Sequence, residues 1–391
     1  RVCVCLCGCK IDLAWTAWGT SRTMALAAAL LAGGAGTACY FMLHKWLSRR
    51  ISHILTGEQR RALIPPGTLI SPGAKNVADS SDVELTTDMF CLEDGTQVHC
   101  YVLKPKEKTP THAVVFIHGY TSHADLYVEN VAEWARAGAV CLLPDLPNHG
   151  RSDGVLAYIP DWWGYMDQIW KVVDLLSSKE CVLNGSTLPM FIAGNSLGGG
   201  IAACMATQRP TFFRGVVLLA PMLMVSDEVK PPWIVQQIFK HVIVHLLPTW
   251  PIAPIKDLAD VDFRVPAHGR KYLLTNPFSM QGTSPMLATA RELGFTYPDW
   301  MEERLKEVRT PFLIVHGKSD KITDPEMSRR LYNEAAATDK TLKLYDGVFH
   351  CELICCTPGG TEFTGLEWLP EQAAATKQCT DDVVEWMAKR I

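Results

Sequence analysis

Two kinds of apolar pattern alternate along the chain from about residue 84 onward. The segments ELTTDMFCL (84–92) and TQVHCYVLK (96–104) alternate polar and apolar positions around Asp94-Gly95. That alternation predicts an antiparallel hairpin. Five short runs then follow that are almost wholly apolar: AVVFIHG (113–119), AVCLLPD (139–145), MFIAGN (190–195), GVVLLAP (215–221) and PFLIVHG (311–317). Runs of that length and composition predict strands buried on both faces, as in a parallel sheet. A last strand-like run is KTLKLYDG (340–347).

Helical periodicity fills the intervals. In residues 124–138, Leu126, Val131, Trp134 and Ala135 share one face, and in 163–178 so do Met166, Ile169, Val173 and Leu176. A final helix is predicted over about 372–389. Strand–helix alternation behind a leading hairpin predicts an α/β fold, a mostly parallel sheet with an antiparallel edge. One interval breaks the rhythm. Residues 222 to about 300 hold no sheet-like run, a cluster of prolines from Pro221 to Pro254, and amphipathic stretches. They read as a helical cap inserted after the sixth strand. Trp233, Ile234, Ile238, Val242 and Leu246 form an apolar stripe there. It is expected to face inward, against an acyl chain or the body beneath. The domain so defined runs over 80–391.

Ahead of it, residues 24–43 are 20 apolar or small residues, about one bilayer crossing. Lys45, Arg49 and Arg50 follow, an excess of basic charge that places the main domain in the cytosol. The segment reads as a membrane anchor within an N-terminal tail of residues 1–50. The rival is a cleaved targeting sequence, with Gly36 and Ala38 before Cys39 as a processing site. The chain begins with Arg1, and Met24 is a credible start. Elsewhere no stretch is long and apolar enough to span a bilayer, which excludes a polytopic channel or transporter.

Composition changes this picture little. Of 391 residues, 48% are hydrophobic and 20% charged, which excludes disorder over most of the chain. With 37 basic and 41 acidic side chains the net charge is -4, so nothing favours nucleic acid as a partner. Most of the 14 cysteines sit singly in apolar runs, as Cys141 and Cys204 do, which suits a reducing compartment. Cys3, Cys5, Cys7 and Cys9 cluster at the start as a lipidation or metal tail. No spacing there or elsewhere predicts a zinc site. The sequon at Asn184 reads as a tight Asn-Gly turn.

The chemistry lies after the strand 190–195. Gly194-Asn195-Ser196-Leu197-Gly198 is G-x-S-x-G, between a buried strand and a small-residue helix. The sharp turn expected there pushes a serine hydroxyl outward as a nucleophile. Such a serine needs a base, and the base needs an orienting acid, in chain order serine, acid, histidine. His241, His245 and His268 fall in the insertion, and His316 lies in a strand end before any suitable acid. His350 follows the last strand in a loop and is the candidate base. Asp320, at a strand's carboxyl end, is the candidate acid, with Asp324 and Asp346 as rivals. The oxyanion donors expected are the backbone N–H groups of Leu197 and Tyr120. His118 reads as structural.

Several blocks in order carry a family resemblance: HGYTSHADLY (118–127), DLPNHGRSDG (145–154), GNSLGG (194–199), HGKSDKITDP (316–325) and KTLKLYDGVFH (340–350). Over roughly residues 80 to 390 the chain resembles the monoglyceride lipase-like serine hydrolases of the α/β-hydrolase fold, also grouped with serine aminopeptidase-like hydrolases. The cap text 221–233 and 247–257 looks like the plant-type branch of monoacylglycerol lipases, lysophospholipases and caffeoylshikimate esterases. The resemblance implies a triad on Ser196, Asp320 and His350, and a single-chain acyl ester lipid as substrate, met at a membrane surface. It implies no metal or organic cofactor. Two positions depart from the family pattern: Asn195 stands where His or Glu is usual, and Asn148 where Gly is usual. Alternative substrates are lysophospholipids and phenolic esters. Acyl transfer is an alternative reaction, and a catalytically silent binding protein the alternative outside enzymes.

Overall fold

The computed structural model describes residues 54–178, 187–224, 232–253, 261–280, 284–356 and 367–391, with the backbone alone for 272–275. The apolar segment 24–43, the first four cysteines and the sequon at Asn184 lie outside the described residues.

Two short helices come first, α1 (Gly57–Leu63) and α2 (Pro72–Ala78). The hairpin follows as β1 (Val83–Cys91) and β2 (Gln97–Pro105), paired antiparallel. Then come β3 (His112–Ile117), α3 (Val128–Arg136), β4 (Ala139–Pro144), α4 (Trp162–Ser178), β5 (Met190–Asn195), α5 (Leu197–Gln208) and β6 (Gly215–Leu219). Each predicted run falls within two residues of its strand. The sheet order is β1-β2-β4-β3-β5-β6, continued by β7 (Phe312–Gly317) and β8 (Lys340–Tyr345). The pairs β1/β2 and β2/β4 are antiparallel and the rest are parallel.

Alternation within the central strands divides the core into two layers. Val115, Ile117, Ile192 and Leu218 face the side covered by α4 and α5, where Trp162, Met166 and Ile201 pack. Val114, Phe116, Phe191 and Leu219 face the side covered by α3 and by α11 (Pro370–Ala388), where Trp134, Val383 and Trp386 pack. The chain leaves β3 toward β4 on one side and returns to β5 on the other. The order of strands therefore reverses at β3, and a crevice opens at the carboxyl ends of β3 and β5.

Residues 54–79 pack on this body. The guanidinium of Arg60 is fully buried and donates to the carbonyls of Gly150 (2.5 Å), Leu55 (2.6 Å) and Ser152 (2.6 Å). Four contacts to carbonyl oxygens hold this buried cation, with the charges of Asp145 and Asp153 nearby, and among the described residues no carboxylate is hydrogen-bonded to it.

The insertion after β6 is helical where described. The helix α6 (Trp233–Ile238) continues through a π-helical turn, Phe239–Ile243. After α7 (Pro266–Thr275), α8 (Leu287–Arg291) runs through a second π-helical turn, Glu292–Thr296, into α9 (Tyr297–Glu303). The stripe expected to face inward does not. Trp233 is 69% exposed, Ile234 59%, Ile238 48%, Val242 49% and Leu246 50%. The face buried inside the cap is made instead by Val244, packed with Leu287, Ala288 and Ala253. The π-turn adds a residue between the two halves of this segment, so a single 3.6-residue register does not run from Trp233 to Leu246. It does not account for the exposure of Trp233, Ile234 and Ile238, which precede it.

Candidate active site

Ser196 stands between β5 and α5 with φ 57° and ψ −118°, a conformation a side chain rarely adopts. The turn is pinned on both sides. Its N–H donates to Leu219 O (2.9 Å), and its carbonyl accepts from Met222 N (2.9 Å) and Gly200 N (3.1 Å). The flanking glycines are required by space. A Cβ on Gly194 would lie 2.2 Å from Gly198 O, and one on Gly198 would lie 2.0 Å from Ile117 O. Both obstacles are backbone. Gly198→Ala should therefore displace the turn and lower kcat by about 10²-fold or more. Steady-state kinetics on any turned-over ester, beside a melting curve, checks this.

The loop after β3 lies directly against the serine. A Cβ on Gly119 would come 3.4 Å from Ser196 Cβ. This brings the backbone of Tyr120 beside the turn that carries Leu197, the first residue of α5. The Tyr120 hydroxyl, donating to Ala157 O (3.0 Å), fixes that loop. His118 is a strut. Its Nε2 accepts from Leu146 N (2.9 Å), so Nδ1 carries the proton and donates to Gly119 O (2.8 Å). Burial pushes its pKa down to about 4, keeping the ring neutral.

His350 opens a single 3-10 turn, His350–Leu353, after β8, and its ring is buried. Its Nδ1 donates to Asp320 Oδ2 at 2.6 Å. Asp320 follows β7 and is held from five directions. Oδ1 accepts from Ile322 N (2.8 Å) and Thr323 N (3.1 Å). Oδ2 accepts, besides His350, the Thr323 hydroxyl (2.9 Å) and His316 Nε2 (3.1 Å). Burial opposes its charge, but the charge of His350 and the bonds from His316 and His350 prevail and hold the carboxyl well below its usual range. For His350 burial likewise opposes protonation, and Asp320 overcomes it, so the imidazole pKa lies above its ordinary 6.5. The other two carboxylates are elsewhere employed. Asp324 caps α10 (Pro325–Glu334) by accepting from Glu326 N (2.9 Å), and Asp346 pairs with Lys318 at the surface (2.8 Å). The histidines of the insertion are placed elsewhere: His241 and His245 line a surface pocket on the cap with Lys240 and Arg291, and the His268 ring meets Trp368 edge-on.

His316, set aside above as the base, and Thr323, which no sequence signal singles out, both hold Asp320. The local signal for His316 is its spacing of four from Asp320, and because that interval leaves β7 for the loop, neither the helical nor the strand period fixes how the two side chains meet. The two departures from the family pattern have physical accounts. Asn148 has φ 67°, a left-handed conformation that asparagine tolerates best after glycine. Asn195 is buried, accepts from Tyr127 OH (3.3 Å) and donates to Leu219 O (3.3 Å). Among the described residues no three His, Cys, Asp or Glu side chains converge as a metal site requires.

The fold and this strand-turn-helix serine define an α/β hydrolase. Residues 108–354 match the family of the serine aminopeptidase, S33, and the chain belongs to that family. It is 28% identical over 241 residues to caffeoylshikimate esterase of Arabidopsis thaliana, covering 61% of this chain and 70% of that protein. It is 26% identical over 268 residues to monoglyceride lipase of Homo sapiens, covering 66% and 80%. Among solved structures it is similar to a soluble variant of monoglyceride lipase from Saccharomyces cerevisiae. There the TM-score is 0.62 and the identity 19%, over 80% of this chain and 96% of that one. The monoacylglycerol lipase of Paleococcus ferrophilus gives a TM-score of 0.56 at 24% identity, over 79% and 100%. These two likenesses speak to the fold.

Proposed function

We propose that the protein is a serine carboxylic ester hydrolase that cleaves monoacylglycerol to fatty acid and glycerol. The observation that carries this reading is the 2.6 Å bond from His350 to Asp320, at the same end of the sheet as the strained turn of Ser196. With Nδ1 committed to Asp320, the imidazole offers Nε2 as base. Ser196 Oγ attacks the ester carbonyl while His350 takes its proton, and the developing oxyanion is met by the N–H groups of Leu197 and Tyr120. His350 then returns the proton to the departing glycerol oxygen. Water, deprotonated by the same imidazole, attacks the acyl-enzyme and releases the fatty acid, leaving serine and histidine as they began. Among the described residues Ser196 Oγ makes no hydrogen bond. Catalytic contacts of this kind commonly close only around substrate.

The monoacylglycerol assignment is supported by the monoglyceride lipases of human, mouse and rat among the relatives. The exposed ridge from Trp233 to Leu246 supports a site that works at a lipid surface, since an apolar face of that kind is left for something to cover. The reading includes membrane attachment through the N-terminal tail with the catalytic domain in the cytosol. No helix among the described residues is long and apolar enough to cross a membrane. A second reading, a phenolic esterase, is favoured by the likeness to the Arabidopsis caffeoylshikimate esterase.

A series of monoacylglycerols of rising chain length separates the two. Each methylene buried contributes about 0.8 kcal/mol, so kcat/KM should rise by up to about fourfold per carbon and then level off. A flat series, with caffeoyl esters turned over faster, would give the choice to the phenolic esterase.

A further inference from the structure

We propose that His316 is a positioning residue for the reaction, which holds Asp320 and thereby sets both the orientation and the basicity of His350; the proposal rests on the triad reading above. His316 lies in the last turn-free stretch of β7 and is fully buried. Its Nε2 faces Asp320 Oδ2 (3.1 Å) and the carbonyl of Thr323 (3.2 Å). Both are acceptors, so Nε2 carries a proton. The opposite nitrogen, Nδ1, meets Ser328 Oγ of α10 at 2.8 Å. The ring is thus clamped between β7, which is paired on both sides, a helix and the carboxylate.

This clamp has a consequence for the base. His350 sits on a loop after β8, the strand at the sheet's edge. Its imidazole is tied to the core through Asp320. The carboxylate, in turn, is tied sideways to the sheet interior through His316. Packing alone does not call for an imidazole at this place. The neighbouring β7 residues Leu313, Ile314 and Val315 fill buried positions with hydrocarbon. A buried imidazole is disfavoured unless its N–H groups are matched, and here the match is the carboxylate that also receives His350.

The same bond acts electrostatically. Every donor on Oδ2 draws on the negative charge that stabilises the imidazolium of His350. Removing the His316 donor leaves Asp320 more basic, strengthens its hold on the His350 proton and raises the pH at which His350 becomes a free base. The groups facing His350 are Asp320, Asp262, Cys355 and the Thr323 hydroxyl, and those facing His316 are Asp320, Thr323 and Ser328. Replacing His316 leaves all of them in place, so a shift in the profile is attributable to the lost donor.

Two amides test this in the full chain. In His316→Gln the amide nitrogen takes the place of Nε2 and keeps the bond to Asp320. In His316→Asn the shorter amide takes the place of Nδ1, keeps Ser328 and loses Asp320. With a water-soluble short-chain ester, Asn should lower kcat about tenfold or more with KM within twofold. It should also move the acid limb of kcat/KM upward by about half a pH unit. Gln should remain within about threefold of wild type with its acid limb unmoved. Equal behaviour of the two variants overturns the proposal. If both match wild type, the ring does nothing for the base. If both lose activity together with melting temperature, it is a core residue only. Failure of the triad reading is read separately, as activity that survives Ser196→Ala.

Discussion

Ser196→Ala should lower kcat/KM for a carboxylic ester by about 10³-fold or more while leaving the melting curve unchanged. The fold should survive because the substitution removes one oxygen and disturbs no bond that holds the turn. The contacts to Leu219, Met222 and Gly200 are all made by the Ser196 backbone. Alanine also bears the left-handed φ no worse than serine does. The chemistry should fail because no other hydroxyl stands on this turn. Adding His350→Ala to Ser196→Ala should cost almost nothing further, since the two act as one unit. Steady-state kinetics of the two single variants and the double variant check this; losses that multiply would mean that serine and histidine act in separate steps.

Asp320→Asn should lower kcat by about 10⁴-fold. The arithmetic is one of protons. Three donors converge on Oδ2, from His350, His316 and the Thr323 hydroxyl. An amide nitrogen placed there would oppose donor with donor. His350 would relieve the clash by accepting at Nδ1, which puts its proton on Nε2 and removes the base. An amide oxygen placed there instead would keep the bond to His350, but it would lose the charge that raises the His350 pKa and would set the amide nitrogen against the Ile322 and Thr323 N–H groups. Asp324→Asn is the control. Asparagine caps a helix as well as aspartate does, so activity and stability should stay close to wild type. Equal damage at the two positions would show that the acid is misassigned.

The central strands were legible because a strand buried on both faces must be apolar at every position, and few other segments are. The serine turn was legible because its glycines are forced by backbone: Gly194 by Gly198 O within the same short motif, and Gly198 by Ile117 O at the end of β3. The cap was only half legible. Amphipathic spacing shows that a stripe exists but not what it faces, and here it faces outward, while Val244 faces inward. The helices α1 and α2 escaped because seven residues carry too little periodicity. Their signals were local caps, Thr56 with Gln59 and Ser71 before Pro72. Arg60 and His316 were hidden for a different reason. Each is a polar residue whose burial is permitted by partners distant in sequence or across a strand end, and no local pattern announces such a partner.

A fluorophosphonate probe followed by peptide mapping tests the central claim most directly, because the reagent phosphonylates only an activated serine. One adduct per folded chain is expected, on the peptide that contains Ser196, absent from Ser196→Ala and from heat-unfolded protein. An adduct on another serine, or sustained ester turnover by a chain that takes no label at Ser196, would contradict it.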